Sequence, residues 1–241
     1  MKIALVTGAS RGIGRAIAIK LAQDGYKVIV HCAGNIEKAE ETMHIIEQNG
    51  GIAVVEMANL CKVEETKALT ERIGNVDVLV LNASLQYDTY LESVTAEDML
   101  SHYTCNAVSS LLLVQNFVPF MKAQKWGRIV TVGSLNEKKP IARLMAYSMS
   151  KAAQTNMTLS LASQLAEYGI TVNNVAPGVI NTDRNVDALS NPKYAEKVTN
   201  SIPVGFYGEP YDCVGIVSLL CSDEGRYITG QNIFVDGGKG L

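Results

Sequence analysis

The sequence predicts an α/β domain: a doubly wound parallel sheet of about seven strands with helices on both faces. Three observations predict it. Short apolar runs, "KIALVT", "KVIVHC", "IAVVEM", "VDVLVLN", "GRIVTVGS" and "ITVNNVAP", alternate with longer stretches of helical periodicity, and "NIFVDGG" adds a strand near the C-terminus. The run "VDVLVL" is apolar on both faces, as a central parallel strand covered on two sides must be. The connections carry the right punctuation. Gly25, Gly50 and Gly169 each follow a helical pattern at the place of a left-handed C′ residue, and Thr95 with Asp98 forms a capping-box start.

With 241 residues, 47% of them hydrophobic, the chain can bury one large core, and it shows no repeat, low-complexity tract or interdomain linker. Residues 1–241 therefore read as a single domain. One stretch breaks the rhythm. Residues 178–209, with Pro192 and Pro203 inside them, make a long irregular insertion after the sixth strand, the usual form of a substrate lid.

A net charge of −3 and a pI near 5.7 offer no footprint for nucleic acid or an anionic membrane. The five cysteines, Cys32, Cys61, Cys105, Cys213 and Cys221, have no CxxC spacing and read as reduced residues of a cytoplasmic protein. His31, His44 and His102 form no ligand pair, so a metal site has no support. "MKIALVTG" meets its turn too soon for a signal peptide, and "LLLVQNFVPF" is too short to span a bilayer.

Between the first strand and first helix, "VTGASRGIGRAIAIKLA" sets Gly8, Gly12 and Gly14. Glycines there let the backbone turn tightly and approach a pyrophosphate, which the helix N-terminus favours. Further on, Tyr147 and Lys151 stand four residues apart on one helix face without a carboxylate between them. A phenol with a pKa of ~10 needs ~4 kcal/mol to work near neutrality. A lysine charge at ~5 Å supplies ~3 kcal/mol of that at an effective dielectric of ~20. The pair is thus expected to tune a proton donor, with Ser134 beside it at the end of the fifth strand.

Thr7 to Gly14 in TGxxxGxG spacing, Asn82-Ala83, Asn106, Ser134, Tyr147 with Lys151, and "PGVINT" together resemble the short-chain dehydrogenases/reductases over essentially the whole chain, most of all the 3-oxoacyl-acyl-carrier-protein reductases. The resemblance implies a Rossmann fold and an oxidoreductase that passes hydride between a nicotinamide and a ketone/secondary alcohol pair. It implies Tyr147 as general acid, Ser134 on the carbonyl oxygen, Lys151 on the nicotinamide ribose, and Asn106 holding a water that links Lys151 to solvent. Cofactor contacts are implied for Gly8, Ser10, Arg11, Gly12, Ile13, Gly14, Asn59, Leu60, Asn82, Ala83, Pro177, Gly178, Ile180 and Thr182, with Thr182 on the carboxamide.

The second strand ends "HCAGN", with no acid before Glu37, and Arg11 stands where relatives that prefer NADPH meet the 2′-phosphate. NADP(H) is therefore expected over NAD(H), and His31→Asp is expected to move the preference toward NADH. Two positions depart from the family pattern: Ser84 replaces a glycine and Asn59 an aspartate. Lys122, Lys125 and Arg128 are a candidate basic patch for an acidic carrier, although Tyr168 stands where a basic residue is usual. Asn136, Glu137 and Lys138 in "SLNEKKP" raise a second reading, a sugar, sugar-acid or polyol dehydrogenase that grips hydroxyls there. A third reading, from another class, is a cofactor-binding sensor without catalysis. The resemblance also implies a homotetramer built on helices near residues 105–123 and 147–167 and on the last strand.

Overall fold

Each apolar run forms a strand in the computed structural model, which describes residues 1–241 apart from the side chains of residues 187 and 188. The strands are β1 (Ile3–Val6), β2 (Lys27–Cys32), β3 (Ile52–Met57), β4 (Val78–Leu81), β5 (Gly127–Val132), β6 (Ile170–Pro177) and β7 (Asn232–Val235). They pair in parallel throughout, in the order β3-β2-β1-β4-β5-β6-β7. The connections from β1 and β4 leave toward opposite sides of the sheet, and beyond the carboxyl ends of these strands lies the crevice where ligands bind in sheets of this kind.

Alternating side chains of one strand feed two cores. Ala4 and Val6 join α1 (Gly12–Gln23) and α9 (Val214–Cys221) on one face, whereas Leu5 joins α3 (Val63–Ile73) and the long central helices on the other. This is why β4, β5 and β6 are buried along their whole length. Gly25, Gly50 and Gly169 close their connections at φ +90°, +79° and +70°, and the capping box of Thr95 and Asp98 opens α4 (Ala96–Tyr103).

The helix expected near residues 105–123 is longer and has a defect. A π turn at Thr104–Val108 joins α4 to α5 (Ser109–Gln124), with Cys105 and Asn106 buried in it. The helix carrying Tyr147 and Lys151, α6, starts at Met145 and runs to Leu165.

Two expectations about charged residues give way. Arg128 is no part of a basic surface: it lies in β5 at 2% exposure, donating to the carbonyls of Ser222 (2.9 Å), Gly127 (2.9 Å) and Gly169 (3.3 Å). The stem of a long cation at a strand end is readily buried when carbonyls collect its donors. Lys122 lies over the Tyr168 ring at 4.0 Å. His31 is likewise interior, at 1% exposure. Its Nδ1 accepts from the Gly8 N–H (3.2 Å) and its Nε2 donates to the Ala58 carbonyl (3.0 Å). His31→Asp would therefore bury a carboxylate against the glycine turn.

Burial pushes the His31 imidazole down to about 4. A pKa below the unfolded value means that the neutral clamp stabilises fully above about pH 6.5 and is lost as pH falls toward 4. We expect the protein to lose on the order of 3 kcal/mol more stability over that window than His31→Gln, whose amide can accept from Gly8 and donate to Ala58. Urea unfolding of both at pH 7 and 4.5 checks this, and parallel losses would show that His31 does not control the acid limb.

Candidate active site

The glycine turn is held by β4. The Thr7 hydroxyl accepts the N–H groups of Asn82 (2.9 Å) and Ala83 (3.0 Å), while the Asn82 amide donates to the carbonyls of Thr7 (2.9 Å) and Gly8 (3.1 Å). A Cβ on Gly14 would stand 2.3 Å from the Gly8 carbonyl and 2.5 Å from Asn82 Nδ2, so only glycine lets these segments meet. Beyond this contact α1 begins with Arg11 extended and without a side-chain cap, its first N–H groups facing the crevice. A Cβ on Gly12 would meet Thr182 alone, at 3.3 Å. Ser10 gives its carbonyl to Arg15 (3.0 Å), and Ile13 packs on the core. A dinucleotide pyrophosphate fits this cradle: uncapped donors, open backbone, and no acid on the turn.

Other expected contact residues ring the same crevice with less freedom. The Asn59 side chain accepts from its own turn at Cys61 (3.0 Å), and Leu60 is buried in the core, leaving backbone atoms to face a ligand. Gly178 follows β6 so tightly against Asp236 that a Cβ would stand 2.7 Å from it, and Ile180 bridges to Gly208. Pro177 ends β6.

Ser134, Tyr147 and Lys151 converge where β5 ends. The Ser134 hydroxyl accepts from the Asn136 N–H (3.1 Å) and bonds the Tyr147 phenol. Burial nonetheless raises the phenol above its ordinary value, and the first charge opposing it is that of Arg184, not of Lys151. Lys151, at 1% exposure, donates to the Val132 carbonyl (2.7 Å) and to Gln154 Oε1 (2.9 Å), and burial, aided by Arg184, pushes its amine down to about 7. Burial thus works against the ammonium form whose charge the four-residue spacing from Tyr147 would use.

Asn106 sits beneath this group. Its carboxamide accepts from the Leu85 N–H (2.7 Å) and donates to the Leu85 carbonyl (3.0 Å) and to the Ser150 hydroxyl (2.8 Å), which in turn donates to the Tyr147 carbonyl (2.7 Å). From Lys151 a chain runs through Gln154 to Ser110 (2.9 Å) and on to the Asn106 carbonyl (3.0 Å). Lys151 and Asn106 are linked by protein groups, and the side chain of Asn106 positions the loop after β4.

Glu137 does not reach outward as the hydroxyl-gripping reading requires. Its carboxylate turns in and accepts from Asn232 Nδ2 (2.6 Å), Thr155 Oγ1 (2.7 Å), Asn174 Nδ2 (3.3 Å) and the Ser134 N–H (3.4 Å), tying the Ser134 turn to β6, β7 and α6. Lys138 lies over Phe234. Only Asn136 of that trio keeps a free side chain among the described residues.

The segment after β6 is less irregular than expected. It carries α7 (Val186–Leu189) and α8 (Pro192–Asn200), joined by a small core of Leu189, Val198 and Ile202. Two residues at its root span the crevice. Asp183 pairs with Arg11 and Lys38, each at 3.2 Å, and Arg184 reaches Ser84. Neither was singled out by sequence reasoning. Their position directly after Thr182 in "PGVINTDR" was the available signal, but it does not say which way a side chain points.

Comparison with known proteins agrees with this geometry. Residues 2–193 match the short chain dehydrogenase family. A curated 3-oxoacyl-[acyl-carrier-protein] reductase of Staphylococcus aureus is 38% identical over 98% of this chain and 97% of its own length. A crystal structure of a 3-oxoacyl (acyl-carrier-protein) reductase from Agrobacterium tumefaciens with NADP bound superposes with a TM-score of 0.94 at 37% identity, covering 98% of this chain and 93% of that one. A structure described as a putative gluconate dehydrogenase, from the same organism, also reaches 0.94, at 28% identity, 99% of this chain and 96% of that one. With the glycine cradle, Ser134, Tyr147 and Lys151 in one crevice, the chain belongs to the short-chain dehydrogenase family and is an NAD(P)-dependent oxidoreductase acting on alcohol and carbonyl groups.

Proposed function

We propose that the protein is an NADP(H)-dependent carbonyl reductase acting on 3-oxoacyl thioesters or close analogues. What supports the reaction is the convergence of a buried phenol, a serine hydroxyl and a buried lysine at the end of β5. The curated relatives named 3-oxoacyl reductases support the substrate class. A bound nicotinamide supplies the hydride. The chain's own groups handle the proton: Ser134 holds the carbonyl oxygen, Tyr147 Oη gives that oxygen its proton, and Lys151 restores the phenol, its amine poised to give up a proton near neutrality. The inward turn of Glu137 removes one support for a sugar dehydrogenase. Tyr147→Phe should keep the fold and cofactor binding and lose turnover by at least about 100-fold. NADPH oxidation with a β-ketoacyl thioester, a keto-sugar and a simple ketone checks both points. Near-normal activity of the variant removes Tyr147 from the mechanism, and inertness toward every carbonyl favours the sensor reading.

We assign the 2′-phosphate of NADP(H) to Arg11 and Lys38. Both now share the Asp183 carboxylate, so phosphate and Asp183 compete for the same cations, and binding loosens or redirects the root of the segment 178–209, which we read as the substrate lid. Exposed pairs contribute little, so Asp183→Asn should tighten NADPH by about two- to tenfold and leave NADH nearly unchanged. Fluorescence titration measures this. Hydrogen exchange in residues 183–205 should slow when cofactor and substrate bind together, and protection confined to the glycine turn would argue against a lid.

A homotetramer fits the surface. Val108 and Leu111 around α5, and Met149 and Leu159 on α6, are exposed apolar residues, and β7 is an unpaired sheet edge. Sedimentation at micromolar concentration should give a mass near four chains, and a monomer would contradict it. The five free cysteines suit a reducing cytoplasm, and no helix is long and apolar enough to cross a membrane.

A further inference from the structure

Arg184 spans the mouth of the crevice. Nη1 donates to the Ser84 hydroxyl (3.1 Å) and to Gln86 Oε1 (3.4 Å), and Nη2 donates to the Ser84 carbonyl (2.9 Å). A guanidinium carries five N–H groups. Three are engaged here, so the Nε–H and one Nη2–H have no acceptor among the described residues. Nor does Arg184 have an acidic partner among them, whereas the neighbouring Asp183 is paired twice over. Ser84, where the family pattern has glycine, supplies both its hydroxyl and its carbonyl to the anchoring. The result is an exposed, aimed cation with spare donors, held on the loop after β4, whose charge is felt by both Tyr147 and Lys151.

We propose that Arg184 is a specificity-determining residue that donates hydrogen bonds to an acyl oxygen adjacent to the reacting ketone, a thioester carbonyl or a carboxylate. The proposal rests on the carbonyl-reductase reading above. With the ketone oxygen held by Ser134 and Tyr147, the acyl oxygen of the same substrate comes to the spare N–H groups of the fork, which Ser84 and Gln86 keep from collapsing onto the protein. A ketone lacking that oxygen leaves buried donors unmet when the lid covers it, and is rejected for that reason.

The test compares Arg184→Met and Arg184→Lys with the unmodified protein on three substrates: S-acetoacetyl-N-acetylcysteamine, acetoacetate and cyclohexanone. The ratio of kcat/KM for either acetoacetyl substrate to that for cyclohexanone should fall about tenfold or more in Arg184→Met and recover in part in Arg184→Lys. A larger fall for acetoacetate identifies a carboxylate as the acyl group, and a larger fall for the thioester identifies its carbonyl. Equal losses on all three substrates, or none, overturn the proposal. If the unmodified protein reduces none of them, the reductase reading fails separately. Calorimetric binding of acetoacetate then decides the role of Arg184: weaker binding to Arg184→Met supports it, and identical binding overturns it.

Discussion

The contact between Gly8, Gly14 and Asn82 sets the geometry on which the crevice depends. Parallel strands leaving β1 and β4 in opposite lateral directions would drift apart at their carboxyl ends. Four hydrogen bonds from Asn82 and Ala83 to Thr7 and Gly8 prevent this. The bonds form only because no Cβ separates the Gly8 carbonyl from α1. With the turn pinned there and backed by the neutral imidazole of His31, the uncapped start of α1 opens into the crevice at a fixed angle.

A second constraint lies behind the reacting groups. Two polar networks enter the core beside β5, β6 and β7, and both are built from protein groups. Glu137 collects donors from the Ser134 turn, β6, β7 and α6, and Lys151 donates to the Val132 carbonyl and to Gln154 Oε1. Buried polar groups of this kind are costly unless every member is paired, and once paired they tolerate one arrangement only. The same burial sets the chemistry. It holds the phenol up and holds the amine down to about 7, and the charges of Arg184 and Glu137 act on both groups in opposite senses. The groups behind the site are buried and hydrogen-bonded, whereas the guanidinium in front of it is exposed and anchored on Ser84 and Gln86.

Much of this was legible in the chain. The strand runs, the glycines at helix ends and the capping box of Thr95 depend on interactions within a few residues, and these fold as their local chemistry dictates. Ser134, Tyr147 and Lys151 were legible for a different reason, since a strand end and a four-residue helical spacing already fix a face. Arg128, His31 and Glu137 were misread because each looked like an exposed polar residue. Their burial depends on carbonyls and amides as remote as Ser222, Ala58 and Asn232. The π turn at Asn106 was hidden as well, because nothing in "YTCNAVSS" distinguishes a five-residue hydrogen-bonded turn from a regular one.

By itself, then, the sequence determined the order of the elements, the parallel doubly wound sheet, and the placement of Tyr147 and Lys151 on one helix face, because periodicity and turn chemistry act over short distances along the chain. Tertiary structure alone decided which charges are felt at the site. Whether Lys151 stays protonated, which cation opposes the burial of Tyr147, and what Asp183 and Arg184 reach across the crevice all depend on desolvation and on separations between segments about a hundred residues apart. Such quantities belong to the assembled interior, where the local dielectric and the nearest partner are fixed only once distant strands have met.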